Sequence, residues 1–284
     1  DFESNESGGR GDVYRLAQKN LMVRKIGIKN LLSIISENSE LSSETKILDA
    51  LGGDGLITKV LSKTLPIEIN PKILTTDISK DMIDAALSDN LPAIRQAAQF
   101  LTMKDDVLDG VILAYGTHHI PINQRLDACR EAFRTLKRGG HFILHDFESR
   151  SPVANWFHKV VHKYSLTGHD FPHFHQNEIE FYLRKCGFSN FSIKYVYDPF
   201  IFEDSTKEGV ELQFTTYLLN MYGLYKLENK YGDIEVHKVI YKLAKKYFRY
   251  NYKEIGLNEP LGVKEIDIKQ TNNGWKLEMP RVAI

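Results

Sequence analysis

Short apolar segments alternate with amphipathic ones through the middle of the chain. The apolar segments are "KILDAL", "KILTTDI", "GVILAYG" and "HFILHDF", with "IRQAAQFL" as a weaker candidate. Each of the four is almost continuously hydrophobic, which is typical of parallel strands covered on both faces. The segments between them, such as "SKDMIDAALS" and "NQRLDACREAFRTLKRGG", have helical spacing and capping residues at their ends. The pattern therefore predicts an α/β fold with an open, doubly wound, mostly parallel sheet.

The pattern changes on both sides of this region. Before it, Asp12 is predicted to cap one long helix over residues 13–37, with a break near Gly27. After it, we expect a helix beginning at "SP", a histidine-rich loop "TGHDFPHFHQ", a helix closed by Gly187, a strand, and two helices within residues 205–253. The chain then ends in a strand, an Asn-Gly turn and a second strand, which is a strong hairpin signal.

Composition narrows the classes of protein that fit. Of the 284 residues, 42% are hydrophobic, and 37 basic side chains balance 37 acidic ones, so a nucleic-acid partner is not expected. Cys129 and Cys186 form no disulfide framework, which favours a cytoplasmic location. No apolar run reaches the roughly 20 residues that span a bilayer. The polar start "DFESNESGGRGD" is expected to be a trimmed or mobile terminus rather than a signal peptide.

A glycine-rich turn, "LGGDG", follows the first predicted strand. Such a turn lets the polar groups of a nucleotide approach bare main chain. Dinucleotide-binding proteins carry G-x-G-x-x-G at this place. Counted from Gly53, the second glycine is Gly55, but Thr58 occupies the third position. The turn therefore favours a nucleoside cofactor that has no pyrophosphate.

The surrounding sequence resembles the class I S-adenosylmethionine-dependent methyltransferases. "LDALGGDG" is similar to their motif I, D-x-G-x-G-x-G, in which Asp49, Gly53 and Gly55 match, Leu51 departs and Gly52 is an added glycine. "DGVILAYGTHHIP" and "EAFRTLKRGGHFIL" resemble the family's fourth strand and its approach to the fifth. The resemblance covers about residues 45–148. It implies a Rossmann-like fold and S-adenosylmethionine as the cofactor.

The resemblance also implies a division of the chain into four regions. Residues 1–40 would be an N-terminal helical lid, and residues 41–204 the Rossmann-like core that binds the cofactor. Residues 205–258 would be a C-terminal helical insertion covering the acceptor, and residues 259–284 a hairpin completing the sheet.

Cofactor contacts are implied at several strand ends. Asp77 would accept hydrogen bonds from the ribose hydroxyls, and Ile78 would pack on the adenine. The family's acid near the adenine amino group is absent, so Gln96, Gln99 or the main chain at Ala97 would replace it. The complete predicted set is Tyr14, Asp49, Gly52, Gly53, Asp54, Gly55, Asp77, Ile78, Gln96, Ala97, Tyr115, Gly116 and His118.

Histidines and carboxylates follow the fourth and fifth strands, where ligands of such sheets bind. We predict His145 as a general base or orienting group, with Asp146 and His119 completing the catalytic set. Asp146 or Glu148 would orient an imidazole, and a structural role for His118 and His119 stays open. A metal site is conceivable but not predicted, because its candidate ligands form no compact motif; these are His145, Asp146, His169, Asp170, His173 and His175.

Together these features predict methyl transfer to a small-molecule acceptor. Residues 151–225 are rich in aromatic side chains, so we expect an aromatic or lipid-like acceptor or a biosynthetic intermediate. Three alternatives stay open: a non-methylating enzyme that keeps the cofactor as a scaffold, a metal-assisted methyltransferase acting on a keto-acid, and a non-catalytic binding module. The oligomeric state is also open, with a homodimer as one alternative.

Overall fold

A computed structural model describes residues 2–3, 9–36 and 40–284. It divides into two compact units. The core unit comprises residues 31–148, 171–194 and Ile284, and the accessory unit comprises residues 1–30, 149–170 and 195–283. Much of the predicted polar terminus, and residues 37–39 at the predicted lid boundary, lie outside the described residues.

Helices and strands alternate through the core unit as expected. In the described part of the chain the α-helices are α1 Gly11–Gln18, α2 Lys25–Ser36, α3 Leu56–Thr64, α4 Lys80–Ser88, α5 Ile122–Thr135, α6 Pro152–Trp156, α7 His162–Tyr164, α8 Gln176–Cys186, α9 Lys207–Tyr222 and α10 Tyr225–Tyr247. The strands are β1 Lys46–Asp49, β2 Lys72–Asp77, β3 Ala93–Arg95, β4 Leu108–Leu113, β5 Leu136–Leu144, β6 Val196–Tyr197, β7 Phe200–Asp204, β8 Asp267–Thr271, β9 Gly274–Met279 and β10 Val282–Ala283. No described helix is both long and apolar enough to cross a bilayer.

The core unit contains a five-stranded parallel sheet in the order β3-β2-β1-β4-β5. At its centre Leu48 of β1 lies between Leu74 of β2 and Val111 of β4. After β1 the chain adds β2 and β3 on one side, and then β4 and β5 on the other. Ligands of such sheets bind beyond the carboxyl ends of the strands where this order reverses. The predicted α/β doubly wound sheet is confirmed, and its switch point is the end of β1.

Several helices begin or end at the capping residues that the sequence predicted. The Ser79 hydroxyl accepts a hydrogen bond from Met82 N at 3.3 Å and so caps α4. Gly187 ends α8 in the left-handed region at φ 100°. Ser151 caps α6 by accepting a hydrogen bond from Ala154 N at 3.1 Å. In each case the side chain or the glycine satisfies main-chain groups that the helix leaves unpaired.

The predicted N-terminal helix is wrong in its details. Arg10, and not Asp12, is the residue before α1, and the break lies at the 3₁₀ segment Leu21–Arg24 rather than at Gly27. Gly27 lies within α2. The buried Asp198 side chain approaches it so closely that a side chain at position 27 would collide with the Asp198 carboxylate. The glycine therefore serves close packing within the accessory unit and not a helix break.

Two other boundaries differ from the prediction. Helix α5 ends at Thr135 and β5 begins at Leu136, so Lys137 and Arg138 lie in a strand rather than in the last helical turn. Strand β3 covers only Ala93–Arg95 of the weak candidate segment. Leu136 pairs with Leu108 of β4, and this tertiary pairing overrides the local helical preference of Lys137 and Arg138.

The accessory unit contains two small antiparallel sheets, β7-β9-β8 and β10-β6. The predicted hairpin forms as β8 and β9, but it pairs with β7 and does not complete the five-stranded sheet, so that expectation is corrected. The expected core boundary at residue 204 is corrected as well, because β6 and β7 belong to the accessory unit. Phe200 and Phe202 of β7 pack against Tyr217 of α9, with ring centroids 4.9 and 5.4 Å apart.

Candidate active site

The first half of the glycine turn is packed too tightly for side chains. Gly52 N donates a hydrogen bond to Thr76 O at 3.0 Å. A Cβ atom on Gly52 would lie 2.7 Å from both Asp49 Oδ2 and Thr75 Cγ2. Leu51, which replaces the family's first glycine, packs instead against the apolar core of the sheet. The added glycine at position 52 thus lets the main chain of the turn lie close to Asp49 and Thr75, which a residue with a side chain would prevent.

The second half of the turn presents bare main chain. Gly53 and Gly55 adopt left-handed φ angles of 57° and 87°, which favour glycine. Gly55 precedes α3, and a Cβ atom there would lie 2.4 Å from Leu91 Cδ1. At Gly53, by contrast, the nearest heavy atom to an added Cβ is Met82 Sδ at 4.0 Å. The main chain at Gly53 is therefore open to the approach of a ligand.

Asp77 supports this turn from the neighbouring strand. Its Oδ2 accepts a hydrogen bond from Gly53 N at 3.1 Å, and its Oδ1 accepts one from Ser79 N at 2.9 Å. The first contact follows from β2 lying beside β1, so that the two strands end at the same edge, whereas the second is local to the end of β2. Asp77 thus lies opposite the glycine turn, as the sequence predicted.

Asp49 is a buried carboxylate at the same edge. Its side chain is 1% exposed, and its Oδ2 has no hydrogen-bond partner among the described residues. Burial first, and the negative charge of Asp77 second, raise the pKa of Asp49 to about 7, although a hydrogen bond from the Leu51 main chain opposes the shift. Two carboxylates so close together favour a positively charged ligand and disfavour a pyrophosphate.

Two side chains after β2 and β3 suit an adenine ring. Ile78 is 64% exposed although it is strongly apolar. Gln96 Oε1 accepts hydrogen bonds from Thr102 N and Oγ1 at 3.1 and 2.9 Å, whereas its buried Nε2 has no partner in the described part of the chain. Gln96 therefore offers a donor, where the family's acid would accept a hydrogen bond. Ala97 follows it and is half-buried.

Asp146 is the centre of a buried polar network after β5. The main-chain N–H groups of His118 and Phe147 both donate to its carboxylate at 2.7 Å, and His118 Nδ1 lies 2.9 Å from either oxygen. His173 Nδ1 lies 3.5 Å from Asp146 Oδ1. Burial alone would raise the pKa of Asp146, but the His118 and His173 imidazoles hold it well below its ordinary value. Asp146 therefore stays ionised.

The remaining predicted catalytic groups surround this network. His145 is buried, and its ring lies edge-on to that of Tyr115, with centroids 4.6 Å apart. Tyr115 has a left-handed φ of 63°, which is uncommon for a residue with a side chain. His119 is half-buried between His118 and Phe171, with ring centroids 4.4 and 4.3 Å away. These side chains follow β4 and β5 at the edge of the sheet that also holds the glycine turn.

The comparisons with known proteins agree with this geometry. A family model described as a methyltransferase domain matches residues 48–144, from the end of β1 to the end of β5. The match includes the glycine turn, Asp77 and Gln96. The chain contains a class I S-adenosylmethionine-dependent methyltransferase domain. The predicted family is thereby confirmed, and S-adenosylmethionine is the cofactor of this family.

Curated relatives match about half of this chain. The ubiquinone/menaquinone biosynthesis C-methyltransferase UbiE of Pseudomonas aeruginosa strain LESB58 is 27% identical over 138 residues, which are 46% of this chain and 52% of that protein. UbiE of Allorhizobium ampelinum is 27% identical over 173 residues, which are 52% of this chain and 66% of that protein. The chain thus spans about half the length of the first of these curated relatives.

A solved structure supports the fold. The protein BH2331 of Bacillus halodurans C-125 matches with a TM-score of 0.50 and 15% sequence identity, covering 89% of this chain and 96% of that one. At this identity the likeness concerns the fold alone. It agrees with the Rossmann-like α/β architecture that the sequence predicted.

The structure shows which imidazoles lie beside Asp146. We expected Asp146 or Glu148 to orient a nearby imidazole, and the Asp146 carboxylate holds His118, with His173 beside it. His118 was predicted as a cofactor residue, and its imidazole Nδ1 is already engaged by Asp146. Among the described residues, His118, Asp146 and His173 are also a group whose ligand atoms lie within 4.8 Å of one another. Two members of this group, Asp146 and His173, are among the metal ligands considered from the sequence.

Three other predicted site residues lie in different surroundings. The Asp54 carboxylate accepts a hydrogen bond from Lys59 Nζ at 2.9 Å, which ties it to α3. Gly116 is open, with no heavy atom within 4 Å of an added Cβ atom. Tyr14 lies in the accessory unit on α1, where its ring centroid is 5.0 Å from that of Phe2. Their cofactor contacts stay predictions.

Arg125 is a residue of the methyltransferase domain that the sequence analysis missed. Its guanidinium is 2% exposed and lies 4.0 Å above the Phe174 ring. It donates to Pro172 O at 2.5 Å and to Glu178 Oε1 at 2.9 Å, and so holds the histidine-rich segment against α5. The only signal in the sequence is an arginine on the apolar face of an amphipathic helix.

Proposed function

We propose that this protein transfers a methyl group from S-adenosylmethionine to a small-molecule acceptor. The observation that carries the proposal is the open main chain at Gly53, which is hydrogen-bonded to Asp77, together with the buried Asp49 carboxylate, whose Oδ2 has no hydrogen-bond partner among the described residues. This group of atoms suits a cofactor that carries ribose hydroxyls and positive charge, and it repels a pyrophosphate. The domain match over residues 48–144 supports the same cofactor.

Each cofactor group has a matching side chain. Asp77 would accept hydrogen bonds from the ribose hydroxyls, and Ile78 would cover one face of the adenine. The unpartnered Gln96 Nε2 would donate to an adenine ring nitrogen. Asp49 would hold the ammonium group of the cofactor's amino-acid end, and the main chain of Gly53 to Gly55 would contact that end. When bound, the cofactor supplies a methyl group on a sulfonium, which an acceptor atom displaces in line.

The histidines after β4 and β5 would serve the acceptor. We propose His145 as the group that orients the acceptor or removes its proton, because it follows β5 at the edge of the sheet that holds the glycine turn, and an imidazole can accept a proton. The edge-on ring of Tyr115 restricts how His145 turns. Asp146 fixes His118, and the His118 ring in turn supports His119. His119, which is half-buried, would contact the acceptor directly.

The acceptor is proposed to be a ring compound or another small biosynthetic intermediate. Support comes from the relatives named as C-methyltransferases of ubiquinone and menaquinone biosynthesis, which match about half of their length at 27% identity. Phe171 adds an aromatic surface beside His119, and its side chain is 36% exposed. A flat ring packs well on such a surface.

Cofactor binding tests the first step of the proposal. The purified chain is titrated with S-adenosylmethionine and S-adenosylhomocysteine in a calorimeter. The variant Asp77→Ala should bind each about 5- to 100-fold more weakly, because two hydrogen bonds to a charged acceptor are lost. Asp84→Ala removes an exposed carboxylate of α4 and should bind like the unmodified protein. If the unmodified chain does not bind either compound, the proposal fails.

Methyl transfer tests the second step. The chain is incubated with methyl-labelled cofactor and a panel of small phenols, quinols and keto-acids, and both S-adenosylhomocysteine and labelled product are measured. Formation of both in equal amounts supports the proposal. If the acceptor is converted to a product of the same mass and no S-adenosylhomocysteine forms, the result would instead indicate a non-methylating enzyme. Stoichiometric binding without any product across the panel would favour a binding module.

A further inference from the structure

The accessory unit has a cavity of about 320 Å³ that the proposed function does not use. It lies between the end of α10 and the segment that follows it on one side, and the beginning of α6 on the other. We call it the cationic cavity. Its polar lining includes Arg150, Lys246, Tyr247, Arg249, Asn251 and Glu254.

The walls of the cationic cavity carry an excess of positive charge. Arg150, Lys246 and Arg249 line it, together with the carboxylate of Glu254. That carboxylate accepts a hydrogen bond from Asn251 Nδ2 at 2.7 Å, and Arg249 is paired with Glu265 at 3.2 Å. The chain as a whole is neutral, with 37 basic and 37 acidic side chains, whereas three cations against two carboxylates give this cavity a local excess of positive charge.

The cavity also has rigid aromatic and apolar parts. Tyr250 is buried, and its hydroxyl oxygen accepts a hydrogen bond from Val282 N at 2.9 Å, which fixes the ring. Tyr247 is half-buried, with its ring centroid 6.4 Å from that of the buried Trp156. Pro152 and Ile255 add apolar surface. At about 320 Å³ the volume is at the lower end of the range for small-ligand sites.

We propose that the cationic cavity binds the phosphate monoester group of a small molecule that carries a ring. A phosphate monoester has a charge of about −2 near neutral pH, so a cluster of three cations attracts it more strongly than a carboxylate, which has half that charge. Two arginines offer planar forks of donors that fit phosphate oxygens, and Lys246 offers a third cation. The ring would pack on Tyr247. This inference does not rest on methyl transfer.

The test uses the complete chain and phenyl phosphate as the probe, titrated at low salt by calorimetry. We expect saturable binding of one molecule per chain. Inorganic phosphate should bind more weakly, because it lacks the ring, and phenol should not bind measurably. Arg150→Gln and Lys246→Gln should each weaken phenyl phosphate binding about tenfold. Lys245→Gln is the matched control, since Lys245 is exposed, adjoins Lys246 on α10 and does not line the cavity.

Four outcomes would overturn the proposal. The first is an absence of saturable binding of phenyl phosphate at millimolar concentration. The second is equal weakening by Lys245→Gln, which would mean that the surface charge acts non-specifically. The third is unchanged binding in both Arg150→Gln and Lys246→Gln. The fourth is binding to phosphatidylglycerol vesicles without binding of phenyl phosphate, which would make the surface a membrane contact.

Failure of the proposed function would be recognised separately. S-adenosylhomocysteine is titrated into Arg150→Gln and Lys246→Gln under the same conditions. If the cationic cavity is an independent site, both variants should bind S-adenosylhomocysteine with the same affinity as the unmodified chain. A parallel loss of S-adenosylhomocysteine and phenyl phosphate binding in these variants would contradict an independent site.

Discussion

The carboxylate of Asp77 accepts a hydrogen bond from the main-chain N–H of Gly53 over 3.1 Å. This bond joins the end of β2 to the glycine turn after β1, so that one carboxylate both shapes the turn and faces the ligand that we propose. Because its other oxygen accepts from Ser79 N, the same side chain also fixes the start of α4. The cofactor edge of the sheet is thus organised by one residue before any ligand arrives.

The packing of the glycine turn can be tested by Gly52→Ala. A methyl group at this position would lie 2.7 Å from Asp49 Oδ2 and from Thr75 Cγ2, so the neighbouring chain must move. We expect the free energy of unfolding, measured with urea, to fall by about 1–3 kcal/mol. Gly116→Ala is the control, since the added methyl group meets nothing within 4 Å, and it should change stability by less than about 0.5 kcal/mol. Equal stability of the two variants would refute the tight packing at Gly52.

The buried carboxyl of Asp49 should make stability depend on pH. Its pKa is raised to about 7 in the folded chain, above its ordinary value of 3.8. Between these two values the folded protein holds a proton that the unfolded chain has released, so this group's contribution to stability falls as the pH rises from about 4 to 7. Asp49→Asn should remove that part of the dependence, as measured by urea unfolding at several pH values. Asp84→Asn changes an exposed carboxylate and should keep the same dependence of stability on pH as the unmodified chain. Identical pH profiles for unmodified chain and Asp49→Asn would show that Asp49 titrates normally.

Asp146 should be far more important for stability than an exposed acid of the same unit. Asp146→Asn leaves the buried His118 and His173 imidazoles without a carboxylate, and we expect a loss of about 3–5 kcal/mol in urea unfolding at neutral pH. Asp127→Asn removes an exposed partner of Arg130 and should cost less than about 1 kcal/mol. Since the folded pKa of Asp146 is lowered, its stabilisation is complete above the ordinary carboxyl pKa and is lost as the pH falls below it. A cost for Asp146→Asn no larger than that for Asp127→Asn would mean that the network contributes little.

The role proposed for His145 is testable once an acceptor has been found. His145→Gln should lower the rate of methyl transfer about 10²- to 10⁴-fold, because a positioned proton acceptor is lost. Its affinity for S-adenosylhomocysteine should stay the same, which separates a catalytic effect from unfolding of the site. His158→Gln is the control at an exposed position of the accessory unit. If the rate is unchanged while binding is intact, His119→Gln should be measured next, and His145 loses its proposed role.

Much of the fold and part of the site could be predicted because they depend on neighbours in the sequence. The strand, glycine turn and helix around Gly53, the cap at Ser79 and the helix end at Gly187 all follow from local main-chain geometry. Asp77 could be placed opposite the turn, because parallel neighbouring strands end at the same edge. The resemblance over the core then supplied the cofactor. These inferences need only the order of the elements and the chemistry of each residue.

Tertiary structure alone decided which distant groups meet. The hairpin β8-β9 was evident from its Asn-Gly turn, but its pairing with β7 depends on which apolar surfaces are buried together. Asp146 could have faced several imidazoles, and the fold brings it to His118 and His173 rather than to the adjacent His145. Arg125 reaches across to the histidine-rich segment for the same reason. Sequence fixes what each segment can form, whereas long-range packing, whose free energy is summed over many contacts, selects the partners.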